Sequence, residues 1–531
     1  MYKVIDIFAG PGGLGEGFTS FFRADGLPVF EISLSIEKDT YAFETLRLRS
    51  FYREFRKMVP EEYYELLRGD ISQKDLYSKY PFEAAEAARK TWRTTLGPGG
   101  VNISEMRARV FDALRGSDEF VLIGGPPCQA YSLVGRSRNA GNPNYNPDKD
   151  VRQKLYIEYL QFLADFEPAV FVMENVKGLL SAKLREQNIF KKIVSDLRHP
   201  KEALIKEGRE VLRTNSSNYN VFSLKDGRII DEYNPGNAII KSEDYGIPQA
   251  RHRVFLLGVR TNLGKIKPKP LVMQEKVPIQ KVINDLPALR SGISGVIDSP
   301  SLWETSLRSQ INCSWVNFPQ TGQYQSDLSK YIKENLRKIV APPANRGKEY
   351  LESNSSPSYK KDWYVDSRMG GVCNHSSRSH IMEDLYRYFF AACYAKLYGV
   401  SPKLKDFPKL LLPDHSNVEK AVNGNNNFSD RFRIQLMNKP CRTIVSHISK
   451  DGHYYIHPDP LQCRSFTVRE AARIQTFPDN YYFCGPRTSQ YTQVGNAVPP
   501  LLARQIAEIV SDILDQMNAG LIGSNRKAII G

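Results

Sequence analysis

The sequence predicts an α/β protein: a mostly parallel, Rossmann-like sheet within residues 1–260 and a smaller inserted domain behind it. Three observations carry this. Short apolar runs recur with helical patterns between them, a glycine-rich turn follows the first run, and the character of the chain changes after residue 260. The expected division is 1–260 for the α/β domain, 261–440 for the inserted domain, 441–520 for a return to the first, and 521–531 for a frayed tail.

The candidate strands are Lys3–Phe8, Ile32–Ile36, Phe120–Ile123, Ala169–Glu174 and Val254–Val259. Leu155–Phe166 and Ile189–Leu197 carry helical apolar spacing between them. Two stretches are longer than one connection needs and read as insertions. Residues 51–119 include helix-like Tyr63–Leu67 and Ala84–Trp92, and residues 198–240 are charged and irregular. Residues 261–362 hold fifteen Lys/Arg against nine Asp/Glu and no regular alternation. A helix is expected at Met382–Leu397, a loop at Asn423–Asn427, a strand pair across Thr443–Ile456 around Asp451-Gly452, and a last helix at Leu501–Met517.

Composition narrows the function. A net charge of +15 with a pI near 9.2 favours a polyanionic partner, nucleic acid being the simplest. Seven scattered cysteines form neither a disulfide framework nor a C-x-x-C pair, so a reduced, cytoplasmic setting without a zinc site is expected. No signal peptide and no eighteen-residue apolar run is visible, so no membrane association is expected.

Six motifs carry chemistry. Asp6-Ile7-Phe8-Ala9-Gly10-Pro11-Gly12-Gly13-Leu14 is a strand that breaks into a glycine turn, where backbone can approach a ligand closely. It is not G-x-G-x-x-G, and no Gly-Lys-Ser/Thr follows, which excludes a P-loop. With Glu37 closing the second strand, it reads as a nucleoside site or as a plain strand–helix turn. Phe120–Ile123 ends in Gly-Gly-Pro-Pro-Cys, presenting Cys128 after a stiffened turn as a nucleophile or as a buried thiol. Val170–Val176 ends in Glu174, on the same expected edge as Cys128, where a carboxyl would serve acid–base chemistry. Arg251 and Arg253 alternate ahead of Val254–Val259, as an anion-binding pair or as a solvated edge. Arg469–Pro478 and Gln493–Pro500 each read alone as a helix end or a helix start.

In this order, the glycine turn, Pro-Pro-Cys-Gln, Glu-Asn-Val, Gln-x-Arg-x-Arg, Arg-x(5)-Gln-x-Phe-Pro and Gly-Asn-x-Val-Pro-Pro resemble the DNA (cytosine-5) methyltransferase family. The match covers about 1–50, 120–180, 240–260 and 440–515. The resemblance implies an S-adenosylmethionine-dependent α/β domain and a target-recognition domain that binds double-stranded DNA. It implies that Cys128 attacks C6 of cytosine, Glu174 contacts N3, and Arg253 meets O2 with Arg251 in support. Phe8, Ala9, Gly10, Pro11, Gly12, Gly13, Leu14, Glu37, Asp70, Ile71, Pro127, Leu155, Asn496, Ala497 and Val498 would hold the cofactor. Gly135–Pro147 resembles the family's mobile loop, and Gln129, Ser132, Arg136, Arg138 and Arg152 would meet DNA. A monomeric, compact, prokaryotic-type enzyme of a restriction–modification or other phage-defence system, with a cognate endonuclease encoded nearby, is the expectation. The target sequence is not readable from the chain.

Overall fold

The computed structural model describes residues 1–56, 58–117, 119–127, 155–181, 183–184, 187–213, 217–317, 323–423 and 428–530. The chain divides into two compact units, one of Met1–Val59, Tyr77–Glu275 and Ala497–Gly531, the other of Pro60–Leu76 and Lys276–Asn496.

The first unit is built on a twisted sheet. Its strands are β1 (Tyr2–Ile7), β2 (Phe30–Glu37), β3 (Thr91–Arg93), β4 (Phe120–Gly124), β5 (Val170–Val176), β6 (Tyr219–Phe222), β7 (Ile239–Lys241) and β8 (His252–Arg260). The spatial order is β3-β2-β1-β4-β5-β8-β6, with β7 also pairing with β8. β1 runs parallel to β2 and β4, β2 to β3, and β4 to β5. β8 is antiparallel to β5, β6 and β7. The central strands are apolar because both faces are covered. Val121, Leu122, Ile123, Val170, Phe171 and Val172 are fully buried.

Helices α1 (Gly13–Thr19), α2 (Thr40–Glu54), α3 (Ile103–Leu114), α4 (Leu155–Phe166) and α5 (Ile189–Arg198) connect the strands. α1 lies against the C-terminal helix Pro500–Ile530 at backbone contact: a Cβ on Gly17 would fall 2.3 Å from Ala503 Cβ and 2.6 Å from the Pro500 carbonyl oxygen. Inside α1, Glu16 is buried beside Arg49 and Arg53 of α2. Burial alone would raise its carboxyl, but the two guanidiniums outweigh that and hold it at about 2.

The five expected strands and the helices at 155–166, 189–198 and 382–398 are present. Within the central sheet, three strands were not expected. Thr91–Arg93 follows helix Pro81–Lys90 directly, so its three residues read as the helix end. Tyr219–Phe222 and Ile239–Lys241 lie in the stretch taken for an insertion. The strand pair expected across Thr443–Ile456 is replaced by Cys441–Arg442, a 3₁₀ turn at Ser446–Ser449 and isolated bridges from Ile456 to Ile434 and Ser465. The last helix continues to Ile530 where a frayed tail was expected. Of the loop Asn423–Asn427, all but Asn423 lies outside the described residues.

The unit boundaries also differ from 260/261 and 440/441. Residues 261–275 stay with the first unit, because Leu271 N–H donates to the Leu224 carbonyl (2.8 Å) and Lys269 pairs with Asp512 (2.5 Å). Residues 441–496 stay with the second, held by buried arginines. Arg464 forms a two-pronged pair with Glu470 (2.7 Å each) and donates to the Leu289 carbonyl. Arg473 pairs with Asp479 (2.7 and 2.9 Å) and Asp285 (2.8 Å). Arg469 donates to the carbonyls of Cys373, Pro478 and Tyr481. These polar ties sit beside an apolar cluster that includes Trp303, Tyr388, Phe389, Phe432 and Ile456. Among the described residues no helix is long and apolar enough to cross a membrane.

Gly17→Val forces α1 off the C-terminal helix. A loss of about 1–3 kcal/mol is expected for overpacking at a backbone contact, measured by urea unfolding at equilibrium. An unchanged unfolding midpoint would show that the two helices do not need this close approach.

Candidate active site

The parallel strands send their C-terminal ends to one edge of the sheet, where α/β proteins bind ligands. β1 ends in the glycine turn. Phe8 (φ 54°), Gly10 (φ 57°) and Gly12 (φ 92°) are left-handed, and the non-glycine residue in that region marks a constrained segment. The turn is tied to β2 twice: Ala9 N–H donates to the Ile36 carbonyl (3.1 Å), and Gly10 N–H donates to Glu37 Oε2 (2.8 Å). The other Glu37 oxygen accepts from Lys38 N–H (2.9 Å) and Asp39 N–H (2.8 Å). A Cβ on Gly13 would fall 2.1 Å from the Val498 carbonyl oxygen, so the segment Ala497-Val498 lies against the turn. Pro11 and Leu14 are buried beneath it.

β3 supplies the next strand end, the loop Thr94–Gly97. A Cβ on Gly97 would meet Leu155 Cδ2 at 3.0 Å, so Leu155 borders this loop. Phe8 and Trp92 pack, partly exposed, against the same apolar core. Asp70 and Ile71 do not belong to this sheet. They lie in the second unit after helix Glu61–Arg68, where Asp70 Oδ2 pairs with Arg68 Nε (3.2 Å). The third strand of the sheet begins only at Thr91, so Asp70 is not its strand-end residue. Asn496 closes helix Arg487–Asn496 in the second unit, and the chain returns to the first at Ala497.

β4 ends in Gly124-Gly125-Pro126-Pro127. A Cβ on Gly125 would lie 3.2 Å from Glu174 Oε2, so the β5 carboxylate lies close against the turn and any side chain there would press on it. Asn175 Nδ2 donates to the Pro126 carbonyl (3.4 Å) and ties the two strand ends together. Antiparallel register sets Phe255 opposite Glu174 and Arg253 opposite Val176. Arg253 Nε then lies 3.1 Å from Glu174 Oε1. The contact is an ion pair without hydrogen-bond alignment, and Oε1 is buried with no hydrogen-bond partner. Arg251 is buried at 2% exposure, and its carbonyl accepts from Ser242 N–H and Oγ–H. Cys128, Gln129, Ser132, Arg136, Arg138, Arg152 and the loop Gly135–Pro147 lie outside the described residues.

One buried group received no role from the sequence, although an acid within Val4-Ile5-Asp6-Ile7-Phe8 is a visible anomaly. Both Asp6 carboxylate oxygens are buried without a hydrogen-bond partner. Burial raises its carboxyl to about 8, with Arg53 opposing and Glu37 assisting. It lies beneath the turn, 3.2 Å from where a Cβ on Gly15 would be. Gly125 and Asn175, which lie against Glu174 and Pro126, stand in the quoted Gly-Gly-Pro-Pro-Cys and Glu-Asn-Val motifs, but neither was assigned a role of its own.

A match to the C-5 cytosine-specific DNA methylase family covers residues 78–200 and 228–512. The chain belongs to that family. It is 34% identical to the type II methyltransferase M.Bpa9945I of Bacillus paralicheniformis, over 96% of this chain and 99% of that one. It is 27% identical to the type II methyltransferase M.DdeI of Desulfomicrobium norvegicum, over 97% and 90%. It is also 27% identical to the DNA (cytosine-5-)-methyltransferase M.ApeKI of Aeropyrum pernix, over 80% and 87%. The chain is thus a DNA (cytosine-5) methyltransferase. Among the described residues no group of three or more His, Cys, Asp or Glu is arranged to hold a metal ion.

Asp6 gives this enzyme a pH signature. Folded, the carboxyl keeps its proton up to about 8; unfolded, it releases it near about 4. The folded state therefore holds a proton that the unfolded state lacks between those values, and Asp6 costs increasing stability as pH rises from about 4 to about 8. Asp6→Asn stays neutral throughout. Its stability relative to the parent should rise steadily across that window in denaturant titrations, and a constant difference from pH 4 to 8 would show that Asp6 is not held protonated.

Proposed function

We propose that the enzyme transfers a methyl group from S-adenosylmethionine to C5 of a cytosine turned out of a specific double-stranded DNA sequence, through a covalent bond between Cys128 and C6. The observation that carries this is the Glu174 carboxyl, held against Gly125 by the strand register, three residues before Cys128 and facing Arg253.

The first unit fits the cofactor. Glu37 uses its oxygens on backbone N–H groups and keeps lone pairs for ribose hydroxyls. Glycines 10, 12 and 13 leave room for close approach, and Val498 closes the turn from the other side. The adenine is assigned to the space between the loop Thr94–Gly97 and Leu155. When bound, S-adenosylmethionine supplies an electrophilic methyl group.

The chain's own residues then act on cytosine. C5 is a poor nucleophile. Addition of the Cys128 thiolate to C6 forms an Sγ–C6 bond and pushes the C5–C6 π electrons onto the ring, while Glu174 donates a proton at N3. Arg253, paired with Glu174 at 3.1 Å, orients the carboxyl and presents N–H groups to the cytosine O2. C5 takes the methyl group and loses its proton to a base or water; elimination breaks the Sγ–C6 bond to restore the double bond and the thiolate, and N3 returns its proton to the Glu174 carboxylate. None of this is sterically open to a stacked base, so the target must leave the duplex.

The type II relatives match this chain nearly end to end. That supports a restriction–modification role, in which methylation shields host DNA from a cognate endonuclease. Bisulfite sequencing of DNA from cells expressing the enzyme should show one methylated cytosine context, and the Cys128→Ala variant should leave the DNA unmethylated. Methylation by the variant at the parental level would exclude the covalent route.

A further inference from the structure

The second unit carries a loop whose exposure runs against its composition. Strand β9 (Gly292–Ile293) pairs with β10 (Ser379–His380), and between β9 and helix α6 (Pro300–Arg308) the chain reads Ser-Gly-Val-Ile-Asp-Ser. Val296 is 54% exposed and Ile297 is 93% exposed. One exposed isoleucine is ordinary; here the backbone beneath it is held at both ends. Asp298 accepts Arg290 Nη1 (2.8 Å) and Nη2 (2.9 Å), and Ile293 N–H donates to the same carboxylate (3.0 Å). Ser294 N–H donates to the His380 carbonyl (2.8 Å), and Ser299 Oγ caps α6 through Leu302 N–H (3.1 Å). The tip residues are β-branched and stiff at χ1, so little freedom is left to lose on binding.

Positive charge is crowded beside this loop. Arg346 crosses β9 over Gly292, where a Cβ would fall 2.5 Å from its Cζ, and donates to Ser379 Oγ (3.0 Å). Arg346 and Arg487 both reach the Ser377 carbonyl, at 3.5 and 2.9 Å. The charges that act on Arg346 are Asp298 at 3.6 Å, Arg487 and Arg290. Asp298 is thus shared by Arg290 and Arg346, with Arg487 adjacent. The Nε atoms of Arg346 and Arg487 are buried without a hydrogen-bond partner. An anion shared by the two outer guanidiniums would relieve this crowding.

We infer that the loop and the two arginines form a contact on duplex DNA, with Arg346 and Arg487 holding a backbone phosphate and Val296 and Ile297 touching base edges in the adjoining groove. The inference rests on the methyltransferase reading above and adds to it a place of contact. Phosphate contacts set register without reading sequence, whereas an apolar tip meets the thymine methyl, the apolar group a B-form major groove presents.

The test measures binding by fluorescence anisotropy, with the full chain carrying Cys128→Ala. One duplex holds the cytosine context mapped by bisulfite sequencing, and a second has that context scrambled. Arg346→Gln and Arg487→Gln should weaken both duplexes, and each should reduce the slope of log affinity against log salt by about 1. Arg346→Lys should keep the parental slope. Ile297→Ser, at an exposed tip where folding is not at stake, should weaken the specific duplex about tenfold, leaving the scrambled duplex and the salt slope unchanged. Parental affinities and slopes in all three neutralising or polar variants would overturn the inference while the parent still methylates DNA. Failure of the parent to methylate any DNA would overturn the methyltransferase reading, and this inference with it.

Discussion

Parallel pairing of β1 with β2 and β4, and of β4 with β5, sends four strand ends to the same edge of one sheet. Everything at the site depends on that register. Moving β5 by one residue against β4 would turn Glu174 to the opposite face and replace it at Gly125 with a neighbour. The antiparallel strand β8 then returns Arg253 to the same edge, opposite Val176, within 3.1 Å of the carboxylate. Glycine recurs where backbone must touch something: Gly13 at Val498, Gly17 at Ala503, Gly125 at Glu174. The sheet supplies rigidity, and the glycines supply the close approach that rigid elements otherwise forbid.

The second unit is stabilised differently. Fully buried arginines bind carboxylates and carbonyls from segments far apart in the chain, and Arg473 alone joins Val282, Asp285 and Asp479. Buried ion pairs of this kind contribute modestly to net stability, because desolvation offsets the attraction, but breaking one is costly. Such a core suits an irregular chain with little regular secondary structure. It fixes loops such as Ser294–Ser299 in one conformation, as recognition by shape requires.

The central sheet was legible because its core strands are mainly apolar, as unbroken runs in Phe120–Gly124 and in Val170–Met173 or alternating with Ser and Glu in Phe30–Glu37, with clear punctuation. Thr91–Arg93 was not, since a three-residue edge strand leaves no periodicity and follows a helix without a break. Tyr219–Phe222 was hidden by the polar segments around it. At the sheet edge, the strand-end positions of the glycine turn, Glu37, Glu174 and Arg253 were readable from the motifs. Asp70 was misplaced because its local Gly-Asp-Ile pattern says nothing about which strand precedes it. Residues 441–496 were assigned to the wrong unit for a related reason: their ties to Asp285 and Leu289 are long-range hydrogen bonds that no local pattern encodes.

The central claim is that Cys128 attacks cytosine C6. It is tested most directly by mass spectrometry of the enzyme incubated with S-adenosylmethionine and a duplex carrying 5-fluorocytosine at the target. Fluorine does not leave C5 as a proton does, so elimination stalls. The account predicts a stable protein–DNA adduct whose mass includes the transferred methyl group and whose cross-linked peptide contains Cys128. An intact, unmodified enzyme under conditions where the ordinary duplex is fully methylated would contradict it.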